Sequence, residues 1–192
     1  MATIGLCKPY YAIYSNVGST VTYSSGGYLG KAVEVSMDLD DNADNILYAD
    51  NAPAESETTF SGGTLTLTTD DLLPTAAAAV LGITLSSITV TGLTDEKEMI
   101  FTDNQVVPYC GVGFVVKKRQ SGVTKWMAVV LPKVQFQNPD LAAVTQGETI
   151  EWQTPEISAT IMRDDTTAHA WCRQALLESE ADAVSYITGL LA

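Results

Sequence analysis

"GVGFVVKKRQSGVTKWMAVVLPKVQF", residues 111–136, decides how the rest of the chain is read. Val115 and Val116 run into Lys117, Lys118 and Arg119, then Gln120-Ser121-Gly122 turn the chain, and "TKWMAVVL" (124–131) returns. Branched and aromatic residues either side of a short polar, Gly-containing turn are the signature of a β-hairpin. Its basic tip, Lys117 to Arg119, reads as a solvated hairpin end or as a contact to an acidic neighbour.

Working outward, most other segments also read as strands. "YYAIYS" (10–15) is aromatic and β-branched. In "GKAVEVSMDLD" (30–40), Val33, Val35, Met37 and Leu39 alternate with Ala32, Glu34, Ser36 and Asp38, a period of two with one buried face. "TTFSGGTLTLTT" (58–69) predicts a hairpin turning at Gly62-Gly63, followed by alternating Leu and Thr. "SITVTG" (87–92), "EMIFT" (98–102), "ETIEWQT" (148–154) and "EISATIMR" (156–163) complete the predicted strands.

Two segments change character. "DDLLPTAAAAVLG" (70–82) has a helical period, with Asp70 and Asp71 at a helix N-terminus, Pro74 in the first turn and Gly82 at the stop. "SEADAVSYITGLL" (179–191) is helical too, with Ser179 as cap and a stripe of Ala181, Val184, Ile187 and Leu191. "HAWCRQALL" (169–177) fits strand or helix. No linker or long repeat divides the chain. The expected fold is one mainly β domain over 1–192: two antiparallel sheets in a β-sandwich or partly closed barrel, with one or two flanking α-helices.

Composition narrows the function. Apolar residues make up 46% of the 192 and charged residues only 17%, below the roughly 25% of an average soluble protein. Thr, Ser, Gly and Asn cover part of the low-charge surface, or copies of the chain pack against one another. The net charge is −13, and residues 1–100 carry 13 acidic against 3 basic residues. Binding nucleic acid through its phosphates needs clustered Lys and Arg, and an anionic membrane would repel this chain. No apolar run reaches the roughly 18 residues of a membrane span, and no signal peptide opens the sequence, so the chain is expected in the cytosol when made. Cys7, Cys110 and Cys172 have no CxxC spacing and read as buried free thiols of a reducing compartment.

The residues offer no catalytic, cofactor or metal site. The lone His169 has Asp164, Asp165 and Cys172 nearby in sequence, but on a strand His169 and Cys172 would face opposite ways. "SSGGYLGKAVE" has Ser25 where a phosphate loop needs its first Gly, and Ala32 where it needs Ser or Thr. Gly111 and Gly113 run into a strand, where a dinucleotide motif would open a helix, and read as strand-end glycines. Asp40-Asp41, Asp70-Asp71 and Asp164-Asp165 read as turn and cap chemistry. A calcium loop starting at Asp38 matches at Asp40 and Asn42, then fails at Ala43 and Ala49, leaving only a looser cation site.

What remains is a long acidic loop, residues 40–57, with "ILY" in its middle. Loops of that length in a folded domain usually do something. The loop's apolar residues either fold back on their own sheet or dock on another copy. In the second case, to which the resemblance below points, Asp40, Asp41, Ile46, Leu47, Tyr48, Asp50 and Asn51 form an assembly loop anchored by Tyr48. Deleting 43–51 is predicted to leave a folded monomer unable to assemble.

Three passages, in order, resemble the major tail proteins, the tail-tube subunits of long-tailed bacteriophages and prophages of Gram-positive hosts. They are "LYADNAPAE" (47–55), "GGTLTLTTDDLLPTAAAAVLG" (62–82) and "VQFQNPDLAAVTQGETIEWQTPEI" (134–157). "AIYS" (12–15) and "PYCGVGFVV…WMAVVLP" also fit, and the likeness is weakest after Trp171. The resemblance implies a β-sandwich with a flanking helix and no catalysis or cofactor. It implies rings, usually six-fold, stacked into a tube that conducts DNA from capsid to host without binding it specifically. Implied partners are the chain itself, a tape-measure protein and a tail terminator. The implied location is the virion tail, and the host cytoplasm during assembly. A non-catalytic β-sandwich binding or adhesion module is the alternative. A hydrolase using His169 is a third reading, which nothing else in the sequence encourages.

Overall fold

The computed structural model describes the chain except residues 42–44, 58, 91, 93–95, 141, 142, 144 and 146–152. The predicted strand at 148–154 therefore lies largely outside the described residues. Twelve strands and two helices are described, in the order β1 (Ala2–Val17), β2 (Thr20–Tyr28), β3 (Ala32–Asp41), β4 (Asn45–Ala49), β5 (Ala52–Glu57), β6 (Phe60–Thr69), α1 (Pro74–Leu81), β7 (Thr84–Ser87), β8 (Lys97–Ile100), β9 (Tyr109–Gln120), β10 (Val123–Phe136), β11 (Glu156–Met162), β12 (Arg173–Leu177) and α2 (Glu180–Leu190).

The β9–β10 hairpin is the spine. Ser121 and Gly122 both have positive φ, 50° and 84°, which gives a two-residue turn whose twist suits the flanking strands. Lys117, Lys118 and Arg119 lie on β9 before the turn rather than at its tip. From β9 and β10 one antiparallel sheet spreads in the order β2-β1-β9-β10-β11-β6-β3. β10 changes partner along its length: Trp126–Val130 pair with β12, and Lys133–Phe136 pair with β11. The change falls at an irregularity around Pro132, which has no N–H to give a ladder.

The sheet curls until its two halves face each other without closing into a barrel. The shared core joins Val112, Phe114, Val129 and Leu131 of one half to Leu65, Leu67, Ile157 and Ile161 of the other. α1 closes part of this core with Ala76, Ala78, Val80 and Leu81. α2 lies on the outer face, where Ala183, Ile187 and Leu191 pack on Ala12, Val115, Ala128 and Val130. β9 is thus covered on both faces, and Cys110–Val116 are all buried.

Glycine makes room for α2. A Cβ at Gly111 would stand 2.5 Å from a Leu191 methyl, and one at Gly113 would stand 2.4 Å from Ile187 Cγ2. These are mid-strand residues under a helix, not strand-end glycines. Gly62-Gly63 likewise does not turn the chain: both sit inside β6, Gly63 paired with β3 and β11 and Gly62 with β3, beside a register shift at Asp40/Asp41. A Cβ on Gly63 would lie 2.7 Å from the Asp38 carbonyl oxygen, so glycine here permits close backbone approach.

The helices start and pack differently from the sequence expectation. α1 begins at Pro74 behind Leu73, and Asp70 instead accepts N–H groups from Lys31 at 2.8 Å and Asp71 at 2.9 Å. Gly82 ends α1 at φ 66°, as expected of a left-handed stop. α2 is capped by Ser179, which accepts the Asp182 N–H at 3.1 Å, but Ala181 is exposed and Ala183 takes its place in the buried stripe. The strand predicted at 87–92 shares only Ser87 with the observed β7, Thr84–Ser87, which pairs with β8 in a separate two-stranded sheet; residues 88–90 are not strand. The ambiguous segment resolves as a turn at His169 (φ 48°) leading into strand β12.

Candidate assembly surface

The described part of the expected loop, Asn45–Glu57, is built as an arm, not an irregular loop. β3 and β6 pair up to Asp41 opposite Phe60. Beyond that point β4 and β5 pair with each other, from Asn45 opposite Glu57 to Ala49 opposite Ala52. The arm turns on Asp50 and Asn51, both in the left-handed region at φ 52° and 61°. Two successive positive φ values define the tight hairpin turn that Asn and Asp adopt most readily among non-glycine residues. The Asp-Asn pair is the signal that replaces loop with hairpin.

Leu47 is 59% exposed and Tyr48 63% exposed, and the two strands of the arm have each other as their main neighbours. Asp40 faces Gly62 in the ladder. Asp41 and Ile46 are placed by the backbone pairing, opposite Phe60 and Ser56, while their side chains lie outside the described residues.

The basic stretch is a different surface. Lys117 lies 5.0 Å from the centre of the Trp126 ring, a cation–π contact. Lys118 pairs across the ladder with Lys125, and Lys125 forms an ion pair with Glu178. Among the described residues no carboxylate lies within ion-pair reach of Lys117, Lys118 or Arg119.

A second exposed apolar area was not singled out from the sequence. Met99, Ile100 and Phe101 at the end of β8 are 40–53% exposed, with Val90 and Val106 more open still. Its only sequence signal is the unalternated run "MIF" in a short strand.

The residues around His169 form a tether between loop and sheet. Asp164 is buried, accepts both the backbone N–H and the hydroxyl of Thr166, and lies 4.0 Å from Arg173. Asp165 accepts the Tyr14 hydroxyl and the Lys133 ammonium, each at 2.7 Å. The two aspartates therefore do more than cap a turn. His169 is exposed, with Nδ1 3.4 Å from the Asp164 carbonyl oxygen, and the Cys172 thiol accepts from Gln174. All three cysteines are free, but only Cys110 is fully buried; Cys7 and Cys172 are half-buried. Burial pushes the Cys110 thiol up to about 12 and raises the other two as well.

Among the described residues no group of three or more His, Cys, Asp or Glu side chains is arranged to hold a metal ion. The Asp38–Asp44 stretch lies partly outside those residues. Among the described residues no helix is long and apolar enough to cross a membrane. Neither the known family models nor the curated proteins include a match to this chain.

Proposed function

We propose that this chain is a structural tail-tube subunit of a long-tailed phage or prophage, acting by self-assembly and not by catalysis. Copies join side by side into rings, six to a ring as in the family it resembles, and rings stack into a tube. The tube passes DNA from capsid to host and meets a tape-measure protein and a tail terminator. Its place is the virion tail, after assembly in the host cytoplasm.

The observation that carries this reading is the arm: a β-hairpin presenting Leu47 and Tyr48 to solvent with no role in the chain's own core. An exposed apolar strand surface costs solubility unless something covers it. The curled sheet adds support, since β2 and β3 each have a strand partner on one side only. Such edges are either protected or used for pairing between copies. The charge of −13 suits a conduit whose wall repels phosphate, so that DNA slides instead of sticking.

Negative-stain microscopy and sedimentation of the concentrated protein test the reading. Rings or tubes are expected from the wild-type chain. Because β4 and β5 support each other, the informative deletion replaces residues 45–57 with a short turn instead of removing 43–51. That variant is expected to remain a folded monomer, with unfolding changed by less than about 1 kcal/mol, as for exposed residues outside the core. Wild-type protein that stays monomeric at millimolar concentration overturns the reading in favour of a binding module.

A further inference from the structure

The two ends of the curled sheet, β1 and β3, come within 8 Å of each other without forming a ladder. β1 pairs with β2 only from Tyr10 onward, and past the Leu29 N–H bond to the Pro9 carbonyl oxygen the stretch Ala2–Lys8 is laddered to β9 alone. β3 pairs only with β6. Between these two free edges lies a cleft of about 630 Å³, walled by Leu6, Tyr28, Ala32 and Leu73 with Lys8 and Lys31 at its mouth. That volume falls within the roughly 300–1,000 Å³ of pockets that receive ligands. Tyr28 and Leu73 are 42% and 45% exposed, so the walls are apolar and uncovered.

We propose that this cleft receives the β4–β5 arm of another copy of the chain, with Leu47 and Tyr48 seated against Leu6, Tyr28 and Leu73 along the β1–β3 seam. The proposal rests on the assembly reading above and names its receiving site. Three observations point to the arm as occupant. First, both parties expose apolar side chains, Leu47 and Tyr48 on the arm and Tyr28 and Leu73 on the cleft, so docking removes apolar area from water on each side. Second, residues 1–100 hold only three basic residues, and two of them, Lys8 and Lys31, stand at the mouth. The arm brings Asp50 and Glu55 beside its apolar residues. Asp70 and Asp71 also border the cleft, but the Lys31–Asp70 pair, at 3.4 Å, is solvent-exposed and exchanges partners at little cost.

Third, the geometry excludes self-docking. The cleft adjoins Ala32, where β3 begins, and the arm starts beyond Asp41, where β3 ends. Ten residues of strand span roughly 30 Å at about 3.3 Å each. A contact between one end of a ladder and the other end of a second copy is head-to-tail. It repeats without closing unless a rotation closes it, which is the pattern of stacking.

The test places one cysteine on the arm and one at the cleft, as Ala49→Cys and Asp71→Cys, in a Cys7→Ser background. Both sites are exposed, and Tyr48, Lys8 and Lys31 stay in place. Assembled protein is treated with a short bismaleimide and run on a denaturing gel. A ladder of dimers, trimers and higher species that needs both cysteines supports docking. Tubes that form normally without that ladder overturn it, while leaving the tail-tube reading intact. If the double variant makes no tubes although the wild type does, Lys31→Glu decides. Docking requires it to raise the concentration needed for assembly about tenfold at low salt and less at high salt, because it sets like charges face to face. Unchanged assembly overturns the proposal. If the wild-type chain itself makes no tubes, the tail-tube reading fails and this site fails with it.

Discussion

Lys133 shows how single residues hold the outer loop to the sheet. Its ammonium lies 4.6 Å from the Tyr109 ring centre and 5.1 Å from that of Tyr14, and it ends on Asp165. The hydrogen bond from Lys133, and then that from Tyr14, holds the Asp165 carboxyl below the ordinary value of 3.8. A carboxyl depressed in the folded state stabilises fully above its unfolded pKa, and that contribution is lost as pH falls through the depressed folded value. Asp165→Asn is therefore expected to lower the melting temperature at pH 7 and to narrow the gap to wild type as the pH is taken below about 4, near the unfolded carboxyl value. Thermal unfolding from pH 7 to pH 2 measures this. A deficit that is constant with pH sinks the assignment. Tyr14 contributes on the opposite side: burial, then its bond to Asp165, raises its pKa, so its contribution is complete below 10 and fades at more alkaline pH.

At the scale of elements, the contact of α2 with β9 depends on two missing methyl groups. Gly113→Ala puts a Cβ into Ile187, and the helix must lift or rotate. Overpacking of this kind costs about 1–3 kcal/mol. A double-mutant cycle with Ile187→Ala should show the two changes to be non-additive, since the second removes the atom the first strikes. Additive losses in chemical denaturation would mean that Gly113 matters for another reason. The β9–β10 hairpin and α2 were legible in sequence because their hydrophobic periods agree with their turn and cap residues. Gly62-Gly63 misled because the same dipeptide serves a turn and a close approach between paired strands; only the neighbours on both sides of β6 decide. The arm was read as a loop although Leu47 and Tyr48 were correctly placed within it. Its Asp50-Asn51 pair carries a hairpin signal that is weaker than Asn-Gly or Asp-Gly, because two non-glycine residues must both enter the left-handed region. The seam was not legible at all, since residues 6–8, 28–32 and 70–73 meet only after the sheet has curled.

For the whole molecule, charge and topology pull in different directions. Copies carrying −13 each repel, while free edges and an apolar arm favour association. Fields that reach about 30 Å at 0.01 M salt reach only about 8 Å at 0.15 M. Raising salt across that range is therefore expected to lower the concentration at which particles form, read by light scattering or sedimentation. Weaker assembly at the higher salt would mean that acid–base contacts between copies outweigh their general repulsion.

The unfinished seam also has a signature in time. In a pleated strand every second N–H points to the same side, so along β3 the amides facing β6 are bonded and those facing the gap are left to water. Deuterium should therefore enter Ala32–Asp41 in a fast–slow alternation, while Val112–Val116, flanked on both sides, stay protonated until larger openings occur.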